Sequence, residues 1–103
     1  MQVGIDTVKF ERIKKPDLLA KKILSKDELL IYNTLTKRKI EYLASRFCLK
    51  EAFVKAYGDT RINYRNINIK EENQKPILVY QNVKNTVSIS HEKDYCVCIC
   101  ICY

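Results

Sequence analysis

From Ile40 to Tyr57 the chain runs without Gly or Pro, and Gly58 stands where a helix C-terminal cap belongs. At about 100° per residue, Tyr42, Leu43, Phe47, Leu49, Ala52, Phe53, Val54 and Ala56 spread around most of the circumference of such a helix. A helix that is apolar nearly all round is a buried helix, so the rest of the chain must wrap it. Yet it carries Glu51 and Lys55 one turn apart on one face, with Arg46 and Lys50 on another. Charges on a buried helix must be paired, metal-bound or opened to a cleft.

The wrapping has to come from a short chain. With 103 residues, 47% of them hydrophobic and 30% charged, the sequence suits one domain over 1–103 and is too apolar for a disordered one. A core this small is marginal, which favours association with other subunits. Val3 to Val8 reads as a short strand interrupted by Asp6. Leu18, Leu19, Ile23 and Leu24 recur at helical spacing after Pro16, and Ser25-Lys26-Asp27-Glu28 matches a capping box for a helix through Leu35. Strands follow around Ile67–Ile69, Ile77–Tyr80, Thr86–Ser90 and Tyr95–Tyr103, with turns at Glu71–Pro76 and His91–Asp94. The class is α+β, an antiparallel sheet packed against helices.

The last strand is unusual. Cys96, Cys98, Cys100 and Cys102 alternate with Val97, Ile99 and Ile101, so all four thiols share one face and both faces are apolar. One face is expected on the helices and the other against another subunit. Neighbouring thiols on a strand stand about 6.6 Å apart with parallel Cβ vectors, which suits neither a disulfide nor four sulfurs closing on one zinc. The row therefore reads as small buried hydrophobes in a reducing compartment, with a metal or redox role as the alternative. No apolar run approaches a membrane span and no secretory leader is visible, so a cytoplasmic protein is expected.

The net charge of +7 points to an acidic partner. Singly, the chemical candidates are ordinary: Asp6 could cap a segment, Glu51 and Lys55 could form a helix ion pair worth about 0.2–0.5 kcal/mol, and His91 could be an exposed bystander. Together, a strand-end carboxylate plus a carboxylate on a buried helix is a way to hold Mg²⁺, which takes oxygen ligands and shares them with phosphates. A small nucleic-acid-binding protein, using phosphate contacts and its tyrosines, is the competing class, and a non-catalytic trimeric adaptor is the third.

Val3-Gly4-Ile5-Asp6, Glu11-Arg12-Ile13, the stretch Arg46-Phe47-Cys48-Leu49-Lys50-Glu51-Ala52-Phe53-Val54-Lys55-Ala56 and Ser88-Ile89-Ser90-His91 occur in this order. In these the chain resembles the holo-[acyl-carrier-protein] synthases, the short, trimeric 4′-phosphopantetheinyl transferases. The resemblance implies transfer of phosphopantetheine from coenzyme A to a serine of apo acyl carrier protein, with release of adenosine 3′,5′-bisphosphate, in fatty acid biosynthesis. It implies Asp6, Glu51 and Lys55 as catalytic residues, with Asp6 and Glu51 binding Mg²⁺. Arg46, Lys50, Lys55, Lys75 and His91 would hold coenzyme A, and Arg12 with Lys9, Lys14, Lys15, Lys21 and Lys22 would meet the acidic carrier. The general base stays open between Lys55 and a water relayed through a carboxylate. Two stretches depart from the family: Gly58-Asp59-Thr60-Arg61-Ile62-Asn63 replaces a glycine-rich loop, which would leave Arg61 or Arg65 as anion donors, and Asn73-Gln74-Lys75-Pro76 replaces Asn-Gly-Lys-Pro.

Overall fold

The long helix, α3, spans Lys39–Tyr57 and ends on Gly58, whose φ of 88° is the left-handed cap that glycine adopts without steric cost. Its buried residues include Leu43, Ala44, Cys48, Leu49, Lys50, Ala52, Phe53, Val54 and Ala56, which leaves no broad wet face. The computed structural model, describing residues 1–103, wraps this helix on all sides. Strands β1 (Gln2–Lys9), β4 (Asn85–His91) and β5 (Tyr95–Cys102) make a three-stranded antiparallel sheet in the order β1-β5-β4. Strands β2 (Asn68–Glu72) and β3 (Lys75–Val79) form a separate hairpin beside it, joined where the Asn85 side-chain amide donates to the Leu78 carbonyl at 3.0 Å. The expected single sheet is thus two.

Helices α1 (Pro16–Ile23) and α2 (Lys26–Thr34) cover the other side, where Ala20, Ile23, Leu24, Tyr32 and Leu43 make a second small core. Pro16 occupies the first turn of α1, where its missing N–H costs nothing. The capping box at Ser25 and Glu28 is present as expected. The β2–β3 turn places Asn73 at φ 51° and Gln74 at φ 64°, so glutamine sits in the left-handed region that the usual glycine would favour.

Two register details matter for function. Asp6 lies within β1 rather than at its end, on the same face as Gly4 and Val8, toward the helix. His91 belongs to β4 rather than to a turn, opposite Cys96. On the face away from α3, Val3 and Ile5 pair with Ile101 and Ile99, which pair in turn with Thr86 and Ser88. Val3 and Ile5 are 58% and 59% exposed, so this chain leaves an apolar sheet face open. No helix is long and apolar enough to cross a membrane.

Gly4 lets β1 pass close against α3. A Cβ there would meet the Ala52 carbonyl oxygen at 2.0 Å and the Ala56 nitrogen at 2.7 Å, both backbone atoms that cannot move aside. Gly4→Ala is expected to lower stability by about 3 kcal/mol or more by forcing β1 and α3 apart. Urea denaturation checks this, and a midpoint within error of the parent overturns it.

Candidate active site

The Gly4 contact determines what α3 and β1 present together. Asp6 follows Gly4 by two residues on the same face of β1, and Glu51 and Lys55 each precede one of the alanines that Gly4 touches. The Lys55 ammonium donates to the Asp6 carboxylate at 3.1 Å and to the Ile5 carbonyl at 3.0 Å. The helix pair expected between Glu51 and Lys55 is therefore redirected across the helix–strand contact. The Asp6 side chain is only 16% exposed, while that of Lys55 is 54% exposed and opens to solvent.

Asp6 and Glu51 line one cleft of about 600 Å³, together with Arg12, Lys14, Lys15 and Lys22. Its apolar wall includes Val8, Ile13, Leu18, Leu19 and Phe47. The volume is ordinary for a small-molecule site, and the layout is acidic at two points, basic around them and apolar along one side. Burial, then the Asp6 carboxylate, pushes the Glu51 carboxyl above its ordinary range, opposed by Tyr64 and Lys55. Tyr64 is itself pushed up to about 12 by burial and the Glu51 charge. Two carboxylates that repel one another in a half-closed cleft suit a hard divalent cation, and oxygen donors without a thiol or imidazole among the lining residues suit Mg²⁺.

The remaining expectations divide. Arg12, Lys14, Lys15 and Lys22 reach the cleft, whereas Lys9 is exposed at the end of β1 and Lys21 lines a different depression, beside Asp17 and Tyr32. Arg46 stands about 140° around the helix from Glu51, against the Tyr42 ring and bonded to Glu71 at 3.3 Å, in a second depression of about 480 Å³. Its Nε is buried without a partner. Lys75 and His91 are exposed and line no part of the Asp6–Glu51 cleft within this chain. Arg61 is held by Asp59 at 3.0 Å, and Arg65 is exposed.

Lys50 corrects the expectation that it holds phosphate. It is fully buried, and its ammonium donates to Glu28 Oε1 (2.6 Å), the Ile23 carbonyl (2.7 Å) and the Tyr64 carbonyl (3.0 Å). Three acceptors use all three protons, so nothing remains for a ligand. Glu28 answers in kind, accepting from the Ser25 and Ile69 amides at 2.8 and 2.7 Å. Burial pulls the Lys50 ammonium below its ordinary value, opposed by Glu28. Tyr64 and Phe47 are the site residues that sequence reasoning missed. Phe47 stands inside the Arg46–Ala56 stretch but reads there as one more apolar residue of the buried helix, and Tyr64 is a lone aromatic that no local signal marks.

The chain belongs to the 4′-phosphopantetheinyl transferase superfamily, whose model matches residues 2–100. It is similar to the holo-[acyl-carrier-protein] synthase of Mycoplasma mycoides, at 42% identity over 96% of this chain and 91% of that protein. The corresponding synthase of a Geobacillus species is 39% identical, over 92% of this chain and 89% of that one. Among solved structures, the Bacillus anthracis holo-(acyl-carrier-protein) synthase, described in complex with CoA (3′,5′-ADP), superposes with a TM-score of 0.89. It shares 30% identity over 98% of this chain and 94% of that one.

The raised Glu51 carboxyl has a measurable consequence. It keeps its proton to higher pH in the folded than in the unfolded chain, so stability falls as pH rises from the ordinary carboxylate range through the raised value. With divalent cations chelated, Glu51→Gln is expected to melt above the parent at neutral pH, the gain vanishing below about pH 4. Equal melting temperatures at pH 7 would sink the like-charge reading.

Proposed function

We propose that this chain, as one transferase domain over 1–103, is a holo-[acyl-carrier-protein] synthase working in the cytoplasm. It moves 4′-phosphopantetheine from coenzyme A to a serine hydroxyl of apo acyl carrier protein and releases adenosine 3′,5′-bisphosphate. The observation that carries the reading is the meeting of Asp6 and Glu51 in one basic-rimmed cleft, in a chain of this family. Family membership and the curated relatives favour an enzyme over a carrier-protein adaptor or a nucleic-acid binder.

Asp6 and Glu51 would hold Mg²⁺. When bound, it supplies Lewis-acid neutralisation of the coenzyme A pyrophosphate. Lys55, fixed by Asp6 yet half open to solvent, presents a cation to the same phosphates as charge builds in transfer. The apolar wall of Leu18, Leu19 and Phe47 shields the reacting groups from water. Arg12, Lys14, Lys15 and Lys22 face outward around the cleft, where they attract an acidic carrier, with Lys9 and Lys21 adding long-range steering.

The exposed Val3–Ile5–Ile99 face supports a homotrimer built through the sheet. In that assembly Arg46, Lys75 and His91 are the proposed nucleotide contacts, supplied across subunit boundaries. Lys50 leaves this set because its protons are spent on Glu28 and two carbonyls.

Transfer is read as the gain of one phosphopantetheine in the intact mass of apo carrier protein. Asp6→Asn and Glu51→Gln are each expected to slow it by about 10²-fold or more, and chelation of divalent cations should stop it. Lys55→Met should lower kcat by about 10²–10³. Arg12→Glu with Lys15→Glu should instead raise the carrier KM and flatten its salt dependence. No mass gain with several carriers, at substrate levels well above micromolar, overturns the enzyme reading. For the assembly, light scattering should give a trimer for the parent and a smaller species for Ile99→Glu, and a monomeric parent refutes the shared-site arrangement.

A further inference from the structure

The thiol row of β5 does not stand alone. Cys48, on the face of α3 that lies on the sheet, brings a third sulfur to Cys96 and Cys98, and all three sulfurs lie within 4.8 Å of one another. The three residues are at most 1% exposed. The sulfurs of Cys96 and Cys98 thus lie closer than the strand repeat of about 6.6 Å. The Cys48 thiol donates to the Asp6 carbonyl at 3.3 Å and lies 3.9 Å from the Cys96 carbonyl, so the cluster sits directly behind the cleft carboxylate.

We propose that Cys48, Cys96 and Cys98 form a binding site for trivalent arsenic, taken up as arsenous acid. The first argument is geometric. A centre bonded to three sulfurs at about 2.3 Å holds them no more than about 4.0 Å apart, so the trio needs only to draw in by small side-chain rotations. Cys100 is the next thiol along the same strand face but stands opposite Gly4, outside the trio, which leaves a three-coordinate rather than a tetrahedral site.

The second argument is charge. Zn²⁺ on three thiolates leaves one net negative charge in a dry core, and Cu⁺ leaves two. An unpaired charge in a dry core gives up its hydration with nothing to replace it, so both are disfavoured. Arsenous acid is neutral, and its trithiolate product is neutral as well. Three As–O and three S–H bonds break, three As–S and three O–H bonds form, and each thiol proton leaves on a water molecule. Arsenic stays trivalent, so the step needs no oxidant or reductant.

The test uses the full chain, kept reduced with a phosphine and incubated with sodium arsenite. Native mass spectrometry is expected to show one arsenic retained per chain with the loss of three hydrogens. Thiol titration after denaturation should fall from five reactive groups to two. Arsenic X-ray absorption should show three sulfur neighbours and no oxygen. Cys102→Ala, outside the trio, should bind as the parent does, while Cys48→Ala should lose about 100-fold in affinity, the contribution of a third tethered thiol. A parent that retains no arsenic, a first shell that keeps oxygen, or Cys48→Ala binding as tightly as the parent each overturns the site. The neighbour count on the parent decides the question even if Cys48→Ala fails to fold, and none of these readouts depends on transfer activity.

Discussion

Strand β1 passes so close beneath α3 that only hydrogen fits at position 4, and the rest of the functional geometry follows from that contact. Because side chains alternate along a strand, placing Gly4 against the helix also turns Asp6 toward it. Because Glu51 and Lys55 neighbour Ala52 and Ala56, the same contact carries them to the Asp6 side chain. Two carboxylates and an ammonium are thus held by backbone packing, which is stiffer than any arrangement of long side chains meeting on a surface.

The opposite side of α3 is held by different physics. Lys50 and Glu28 are both closed to solvent, and each is satisfied by further backbone partners. Through them α3 is tied to the end of α1, the start of α2, the Tyr64 turn and β2. Such a pair offsets its desolvation only when every remaining donor and acceptor is used, which is the case here, and removing one partner would strand a buried charge. Its worth lies in register: α1, α2 and the Tyr64 turn meet at one ammonium, β2 joins them through Glu28, and α3 cannot rotate about its axis without breaking its three bonds to the ammonium.

Charge is distributed according to task. The buried pair is neutral overall and structural, the cleft carboxylates are left in mutual repulsion that a divalent cation would relieve, and the lysines and arginine around them face outward. The second arrangement lowers stability in the isolated chain. Local cost concentrated at one cleft is the pattern expected where a binding site is built into an otherwise consistent fold.

Much of this was legible before any coordinates. The buried helix, its Gly58 cap, the Ser25 capping box, the α+β class and the doubly apolar last strand all rest on local signals: periodicity, turn chemistry and capping act over a few residues and leave marks in sequence. Asp6, Glu51 and Lys55 as a group were legible through family resemblance. Which partner each charge takes was not. Lys50 and Lys55 stand five residues apart on one helix and look equivalent in sequence, yet one is sealed against Glu28 and the other opens beside Asp6. Likewise Cys48 shows nothing of its neighbours until α3 is laid on β5. Local structure is encoded by short-range sterics and hydrogen bonding, whereas burial and pairing are properties of the assembled surfaces, and only the tertiary structure could decide them.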